Sequence, residues 1–106
     1  MRYQLAGFEV DTINRLVTKA DHLISIEPQV FNLLVFFCEH SQQPIELKNL
    51  SKRFYHEKKV PPSLIADMAK LHYLLEEDPS NPSLLISIGY QRYQLMQHPI
   101  KKQVLV

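Results

Sequence analysis

The side chains best suited to nucleophilic chemistry are the single cysteine, Cys38, and the histidine two positions later, His40. Two residues apart on a helix, these side chains point to different faces. Cys38 also lies in the most apolar stretch of the chain, where the thiolate form of cysteine is disfavoured. We therefore interpret Cys38 as a small buried hydrophobic residue rather than a nucleophile.

The sequence also lacks the residue patterns that metal sites and phosphate-binding loops require. The five histidines are at least 16 positions apart, and there is no C-x-x-C pair, so we expect no metal site. The two glycines, Gly7 and Gly89, are too few for a Walker or Rossmann phosphate loop. The acidic run at 76–78 is typical of a solvated helix end. We therefore expect no enzyme activity, no cofactor and no metal.

The remaining chemistry is phosphate binding by a basic cluster. Five of the twelve Lys and Arg residues fall in the window 48–59, interleaved with the aromatic Phe54 and Tyr55. Such a cluster attracts phosphate, although by itself it is more typical of a solvated helix face and loop. The net charge of +1 gives no separate indication of nucleic acid. The basic cluster consists of Lys48, Lys52, Arg53, Lys58 and Lys59.

Length and composition indicate one globular domain. The chain has 106 residues, of which 45% are hydrophobic and 22% charged, so it can bury a core without disulfides. The single cysteine is typical of a reducing compartment. No apolar run approaches the length of a membrane span, and the first ten residues lack the layout of a signal peptide. We therefore expect a cytoplasmic protein.

The hydrophobic pattern predicts an N-terminal antiparallel sheet followed by a buried helix. Residues 3–10, 13–18 and 23–26 are rich in β-forming side chains and indicate three strands. Residues 30–40 follow a proline that suits the first turn of a helix. This segment is apolar on nearly every side, which is typical of a helix in a protein core.

The second half of the chain predicts two further helices and a hairpin. Residues 46–55 indicate a short amphipathic helix, and residues 56–62 a loop. A third helix follows over residues 63–77, because four apolar side chains recur there at helical spacing. Residues 84–88 and 92–96 are expected to pair as a hairpin. The apolar stripe of the third helix consists of Leu64, Met68, Leu71 and Leu75.

This order of elements predicts an α+β fold: a winged helix-turn-helix with an N-terminal antiparallel sheet, three helices and a C-terminal β-hairpin wing. In that layout the third helix can enter the major groove of DNA, and the wing can reach the backbone or the minor groove. We place the domain at residues 1–98 and interpret residues 99–106 as a tail or the start of a linker.

Three stretches of the sequence carry a family resemblance. Residues 26–40, IEPQVFNLLVFFCEH, are similar to the opening of one family's first helix. Leu50 with Phe54 and Tyr55 stands where that family has a leucine followed by an apolar residue and tryptophan, and residues 63–95 follow its third helix, acidic–proline turn and wing. Together they resemble the DNA-binding effector domain of OmpR/PhoB-type transcription regulators, above all the CadC/ToxR-like branch.

The resemblance implies a bacterial transcription regulator that binds double-stranded promoter DNA through the third helix and the wing. It also implies phosphate contacts by the basic cluster, and a loop at residues 56–62 that can touch RNA polymerase. The implied DNA contacts are Ser63, Asp67, Lys70, His72 and Tyr73 in the third helix, and Tyr90, Gln91 and Arg92 in the wing.

The resemblance also bears on what surrounds the domain. In the CadC/ToxR-like branch, this domain is the cytoplasmic N-terminal part of a membrane-anchored regulator, so a membrane anchor beyond residue 106 is expected of such a member. The chain begins at its first predicted strand, so we expect no receiver domain before it. A homodimer or a pairing with another regulator is a further expectation.

Several residues depart from the family pattern at the DNA-contacting positions. His72 and Tyr73 replace two basic residues of the third helix, and Arg92 stands where the family has a glycine. Asp67 is expected on the exposed side, where phosphate repels a carboxylate, although a carboxylate can also accept a hydrogen bond from cytosine. Fewer cations weaken DNA binding, because affinity follows the number of phosphates that are neutralised.

A second hypothesis therefore keeps the fold without DNA binding. The domain would then be a protein-interaction module that binds a second copy, another regulator or RNA polymerase. Tyr73 and Tyr90 are expected at its surface, because tyrosine is enriched at protein interfaces. One observation separates the two hypotheses: the third helix and wing either share a positive surface with the basic cluster or present an apolar one.

Overall fold

The structure is a computed structural model that describes residues 1–102 of the chain. The fold consists of two antiparallel sheets and three helices, and a short π-helical turn extends the second helix. In chain order the elements are β1 (Arg2–Leu5), β2 (Phe8–Asp11), β3 (Leu16–Lys19), β4 (His22–Ile24), α1 (Pro28–Glu39), β5 (Ile45–Glu46), α2 (Leu47–Leu50), the π-helical turn (Ser51–Tyr55), α3 (Pro62–Leu75), β6 (Leu85–Ser87), β7 (Arg92–Leu95) and β8 (Ile100–Lys102).

The N-terminal sheet has the strand order β4-β3-β2-β1-β8 and is antiparallel throughout. Because side chains alternate between the two faces of a strand, the apolar residues of β1 to β3 collect on one face. That face is buried, and it consists of Tyr3, Leu5, Phe8, Val10 and Val17. The predicted N-terminal antiparallel sheet is therefore confirmed.

The predicted strand over residues 3–10 is in fact a hairpin. Leu5 pairs with Phe8, and the two residues between them, Ala6 and Gly7, have φ angles of 48° and 86°. Tight hairpin turns of two residues require this left-handed conformation. Glycine adopts it freely, whereas alanine is uncommon there, so the sequence carries only half of the usual turn signal.

The predicted tail also needs correction. Ile100–Lys102 pair with β1, with Lys102 opposite Arg2 and Ile100 opposite Gln4. All three residues of β8 are exposed, so no alternation of buried and exposed side chains marks the strand in the sequence. Residues 103–106 of that predicted tail lie outside the described part of the chain.

The two long helices agree with the sequence pattern. α1 buries six side chains, and α3 packs against it. The predicted stripe of α3 is confirmed, because Leu64, Met68, Leu71 and Leu75 are all buried. Prolines open both helices at positions where the missing N–H costs nothing. α3 ends at Leu75, two residues before the predicted end.

The predicted amphipathic helix at residues 46–55 is divided into three parts. Ile45–Glu46 is a short strand that pairs with β7, so that Glu46 lies opposite Arg92. The chain becomes helical only at Leu47 and widens into the π-helical turn at Ser51. The strand β5 joins the hairpin of β6 and β7 in a second sheet, with the order β5-β7-β6.

The predicted α+β fold is confirmed: an antiparallel sheet, three helices and a C-terminal hairpin follow one another along the chain. The core lies between the N-terminal sheet, α1, α3 and the inner side of the hairpin. Among residues 1–102, no helix combines the length and the apolar character that a bilayer span requires.

Candidate nucleic-acid interface

The side of α3 that faces away from the core is largely apolar. Ile65 is 48% exposed and Tyr73 is 73% exposed, while the small side chains between them are also exposed. We call this surface the outer face of α3. It consists of Pro62, Ile65, Ala66, Ala69 and Tyr73.

Lys70 is exposed at the edge of the outer face, but an ion pair occupies its charge. Its Nζ donates to both carboxylate oxygens of Glu27, at 2.9 and 3.1 Å. Asp67 is a more distant partner at 3.9 Å. The hydrogen bond and the charge of Glu27 raise the pKa of Lys70. The predicted DNA contact is therefore held against the residue that precedes α1.

The prediction that Asp67 lies on the exposed side of α3 is wrong. Its side chain is 13% exposed, and the Tyr55 hydroxyl donates to Asp67 Oδ2 at 2.6 Å. Burial, followed by the hydrogen bond and charge of Asp67, raises the pKa of the Tyr55 phenol. This contact links the π-helical turn to α3, because Tyr55 closes that turn.

The other predicted residues of α3 divide between surface and structure. Ser63 and Tyr73 are exposed. His72 is half-buried, and its Nε2 lies 3.2 Å from the carbonyl oxygen of Pro79. Of the five predicted contacts in α3, the structure therefore leaves Ser63 and Tyr73 open to solvent and engages Asp67, Lys70 and His72 in contacts within the chain.

Glu76, part of the predicted solvated run, is instead buried. It is 7% exposed, and its carboxylate accepts backbone N–H groups from Ser83 at 2.9 Å, Leu84 at 2.6 Å and Leu85 at 2.9 Å. Burial alone would raise the pKa of this carboxyl, but these hydrogen bonds and the nearby His72 lower it. Glu76 thus fixes the start of the hairpin to the end of α3.

The hairpin presents its turn to solvent. Gly89 and Gln91 have φ angles of 68° and 53°, and the Tyr90 side chain between them is almost fully exposed. The Arg92 guanidinium lies against the turn, so that a Cβ added at position 89 would meet its Nη2 at 3.0 Å. The carbonyl of Gln91 accepts the N–H of Leu47 at 2.9 Å, which ties the turn to the start of α2.

All five residues of the basic cluster are exposed, as predicted. The Arg53 guanidinium lies over the rings of Phe36 and Phe54, at 5.3 and 5.5 Å from their centroids. The cation is attracted electrostatically to the ring faces, and the Arg53 side chain is nevertheless exposed. Among residues 1–102, no member of the cluster takes part in an ion pair.

The loop that carries Lys58 and Lys59 depends on a buried hydroxyl. Ser51 is fully buried, and its single O–H is shared between the carbonyl oxygens of Lys59 and Glu57, which lie 2.7 and 3.0 Å from Oγ. Ser51 is not among the residues predicted from the sequence. Its spacing of four residues from the buried Leu47 is the signal that places it on the inner side of the helix.

An apolar groove runs between the N-terminal sheet and α3, with a volume of about 590 Å³. The Lys19 ammonium lies over the Phe8 ring at one edge, 4.6 Å from its centroid. The groove is lined by Phe8, Lys19, Ile24, Ala69, Lys70, Tyr73 and Leu74. Nothing in the sequence pattern predicts this groove, because it joins strands and a helix that are far apart in the chain.

Cys38 is buried, as predicted, and burial raises the pKa of its thiol to about 12. The thiolate required of a nucleophile is therefore strongly disfavoured at neutral pH. Within residues 1–102, no three His, Cys, Asp or Glu side chains come together in a way that could hold a metal ion.

No protein-family profile and no curated protein sequence matches the chain. Solved structures do. DrrB from Thermotoga maritima, a response regulator and OmpR/PhoB homolog, matches with a TM-score of 0.81 and 18% identity over 91% of this chain, which spans 44% of the DrrB chain. The Klebsiella pneumoniae RstA DNA-binding domain in complex with the RstA box matches with a TM-score of 0.79 and 15% identity, covering 90% of this chain and 96% of that one.

The DNA-binding domain of E. coli CadC matches with a TM-score of 0.77 and 20% identity, covering 93% of this chain and 94% of that one. The chain thus spans less than half of DrrB but nearly all of the RstA and CadC domains. At these identities the likeness is one of fold. The predicted resemblance is confirmed at that level: the chain has the winged helix-turn-helix fold of OmpR/PhoB-type DNA-binding domains.

Proposed function

We propose that the chain is the DNA-binding domain of a transcription regulator. The observation that carries this proposal is the exposed basic cluster on a winged helix-turn-helix fold, with five cations that take part in no ion pair among the described residues. Exposed cations in one stretch of chain are the electrostatic signature of a phosphate-binding surface. The fold supports the same function, because the RstA domain of that fold is in complex with the RstA box.

In this proposal the outer face of α3, together with Ser63, faces the major groove. Tyr90 and Arg92 of the wing reach the backbone or the minor groove. The basic cluster neutralises phosphates on either side of the groove. Asp67 and His72 do not contact DNA in this proposal. They stabilise the fold instead, because each is held by a contact within the chain.

Fluorescence anisotropy with labelled duplex DNA tests the proposal. The duplexes are the region upstream of the protein's own gene and a mixed-sequence control, titrated at several salt concentrations. We expect binding at low salt, with log K falling against log salt at a slope of about −3.6 to −4.5 for four or five phosphate contacts. If neither duplex binds at low salt, the proposal is refuted.

The resemblance adds expectations that belong to this proposal. Contact of residues 56–62 with RNA polymerase, a cytoplasmic location and a membrane anchor beyond residue 106 all stay predictions. A pull-down of RNA polymerase by the wild-type domain, compared with a variant in which Lys58 and Lys59 are replaced by glutamate, tests the first of these.

The second candidate is a protein-interaction module, and the apolar outer face of α3 favours it. That face continues through Ala69 and Tyr73 into the groove of about 590 Å³, so a partner would find a connected apolar surface. The candidate partner most easily tested is a second copy of the chain. Sedimentation velocity should then show a concentration-dependent dimer that Tyr73→Glu abolishes. A monomer at all concentrations would exclude a second copy of the chain as the partner.

A further inference from the structure

The polar groups of α3 are scarce, and contacts within the chain occupy the charged ones. Of its fourteen residues, PSLIADMAKLHYLL, only Asp67, Lys70 and His72 carry a carboxylate, an ammonium or an imidazole. Asp67 accepts from Tyr55, Lys70 donates to Glu27, and His72 lies against the carbonyl of Pro79. The helix contains no arginine, asparagine or glutamine.

With Lys70 paired to Glu27, α3 retains few of the usual means of reading bases, the Ser63 hydroxyl among them. Guanine is recognised in the major groove mainly by arginine or lysine, and adenine by asparagine or glutamine. The outer face of α3 offers methyl and methylene groups instead, from Ile65, Ala66 and Ala69, all of which are exposed. The one base feature in the major groove that matches apolar side chains is the C5-methyl group of thymine.

Resting on the proposed function, we propose that α3 selects DNA through thymine methyl groups, with Ile65, Ala66 and Ala69 as the contacting side chains. The favoured sites then have thymine methyl groups where the outer face of α3 enters the major groove. Phosphate contacts by the basic cluster provide affinity that does not depend on sequence.

Four duplexes of about two helical turns separate methyl contacts from other effects of sequence. They are alternating dA·dT, the same duplex with deoxyuridine in place of thymidine, alternating dG·dC, and the same duplex with 5-methylcytosine. Within each pair, only the major-groove methyl group differs. The measurement is the dissociation constant by fluorescence anisotropy at one fixed salt concentration.

We expect the methylated member of each pair to bind more tightly, by about fourfold for each methyl group that becomes buried. Equal binding of all four duplexes would overturn the inference and leave the proposed function standing. Failure of every duplex to bind at low salt would refute both. An effect in the dA·dT pair alone would overturn the inference too, because thymine also alters the shape of the duplex.

Two variants assign the effect to α3. Ile65→Ser removes an apolar side chain from the outer face, and we expect it to reduce the ratio between methylated and unmethylated duplexes. Leu23→Ser is the matched control, because Leu23 is an equally apolar residue, 66% exposed, on β4. It should leave the ratio unchanged. An Ile65→Ser protein that is folded by circular dichroism and keeps the wild-type ratio would overturn the assignment.

Discussion

Among single residues, Glu27 pairs the one ammonium group of α3, that of Lys70, within the chain. Replacing it with glutamine removes the carboxylate that binds the Lys70 ammonium at 2.9 Å. We expect Glu27→Gln to bind any duplex more tightly and to make the slope of log K against log salt steeper by about 0.9, the value of one added phosphate contact.

The matched control for this variant is Glu9→Gln, which changes the net charge equally. Glu9 pairs with Arg2 on the N-terminal sheet, at 3.1 Å. Anisotropy titrations of both variants across salt concentrations provide the comparison. If the two slopes change by the same amount, net charge rather than Lys70 is responsible.

Glu76 makes folding stability depend on pH. Its backbone hydrogen bonds and His72 outweigh burial and hold its pKa below the ordinary value of 4.5. A carboxyl with a lowered folded-state pKa stabilises the protein fully above its unfolded-state pKa, and this contribution is lost as pH falls through the folded-state value. We therefore expect the free energy of unfolding to decrease below about pH 4.5.

Glu76→Gln should lower the free energy of unfolding at neutral pH by about 1–3 kcal/mol, because the ionised acceptor of three N–H groups is lost. It should also remove the Glu76 component of the decrease at acidic pH. Urea unfolding at neutral and acidic pH measures both effects. Glu77→Gln, at the exposed neighbouring position, should behave like wild type; equal losses in both variants would contradict the role of Glu76.

The sequence predicts the exposed residues of the candidate site better than those held by hydrogen bonds or ion pairs within the chain. Exposure of the basic cluster follows from local charge, and the exposure of Tyr73 follows from helical spacing. The pair of Glu27 and Lys70 joins residues 43 positions apart, and nothing local to either residue indicates it. In the sequence, Glu76 looks like its acidic neighbours. Its burial becomes visible only in the structure, where the backbone N–H groups of residues 83–85 lie against its carboxylate.

At the scale of elements, the helical stretch from α2 through the π-helical turn is expected to provide affinity without sequence preference. Lys52→Ala combined with Arg53→Ala should weaken binding to every duplex to a similar degree. The salt slope should become shallower by about 0.9 for each phosphate contact removed. Titration of the double variant against the upstream duplex and the mixed-sequence control, at several salt concentrations, measures the loss of affinity and the change in salt slope.

Lys101→Ala combined with Lys102→Ala provides the control, since these exposed cations lie on β8 and their removal changes net charge equally. Their loss should affect the slope less than the loss of Lys52 and Arg53. A double variant of Lys52 and Arg53 that changes the preference among duplexes, and not only the affinity, would contradict a purely phosphate-binding role.

The long elements are predictable because many residues repeat one pattern. α1 and α3 each bury a continuous set of side chains, and the hydrophobic periodicity identifies both. The short elements depend on contacts that are distant in sequence. β5 exists because β7 lies beside it, β8 exists because β1 has a free edge, and the hairpin of β1 and β2 relies on the left-handed conformation of Ala6 as well as Gly7.

For the molecule as a whole, the orientation of α3 connects stability to function. The Leu71 side chain is fully buried on the core side of α3. Leu71→Ala should lower the free energy of unfolding by about 2–5 kcal/mol. Ile65→Ala, half-exposed on the same helix, should have a much smaller effect. Thermal unfolding followed by circular dichroism compares them. An unchanged melting temperature for Leu71→Ala would mean that α3 presents a different side to solvent.

The pairing of β8 with β1 determines how the domain responds to mechanical tension. Arg2 and Lys102 are register partners at one end of an antiparallel pair, so a force that pulls these two residues apart loads the hydrogen bonds one after another. Opening the pair from this end breaks its hydrogen bonds singly, whereas sliding one strand past the other would break them together. β8 should therefore detach first under tension, while β1 stays held by β2 and the helices behind it.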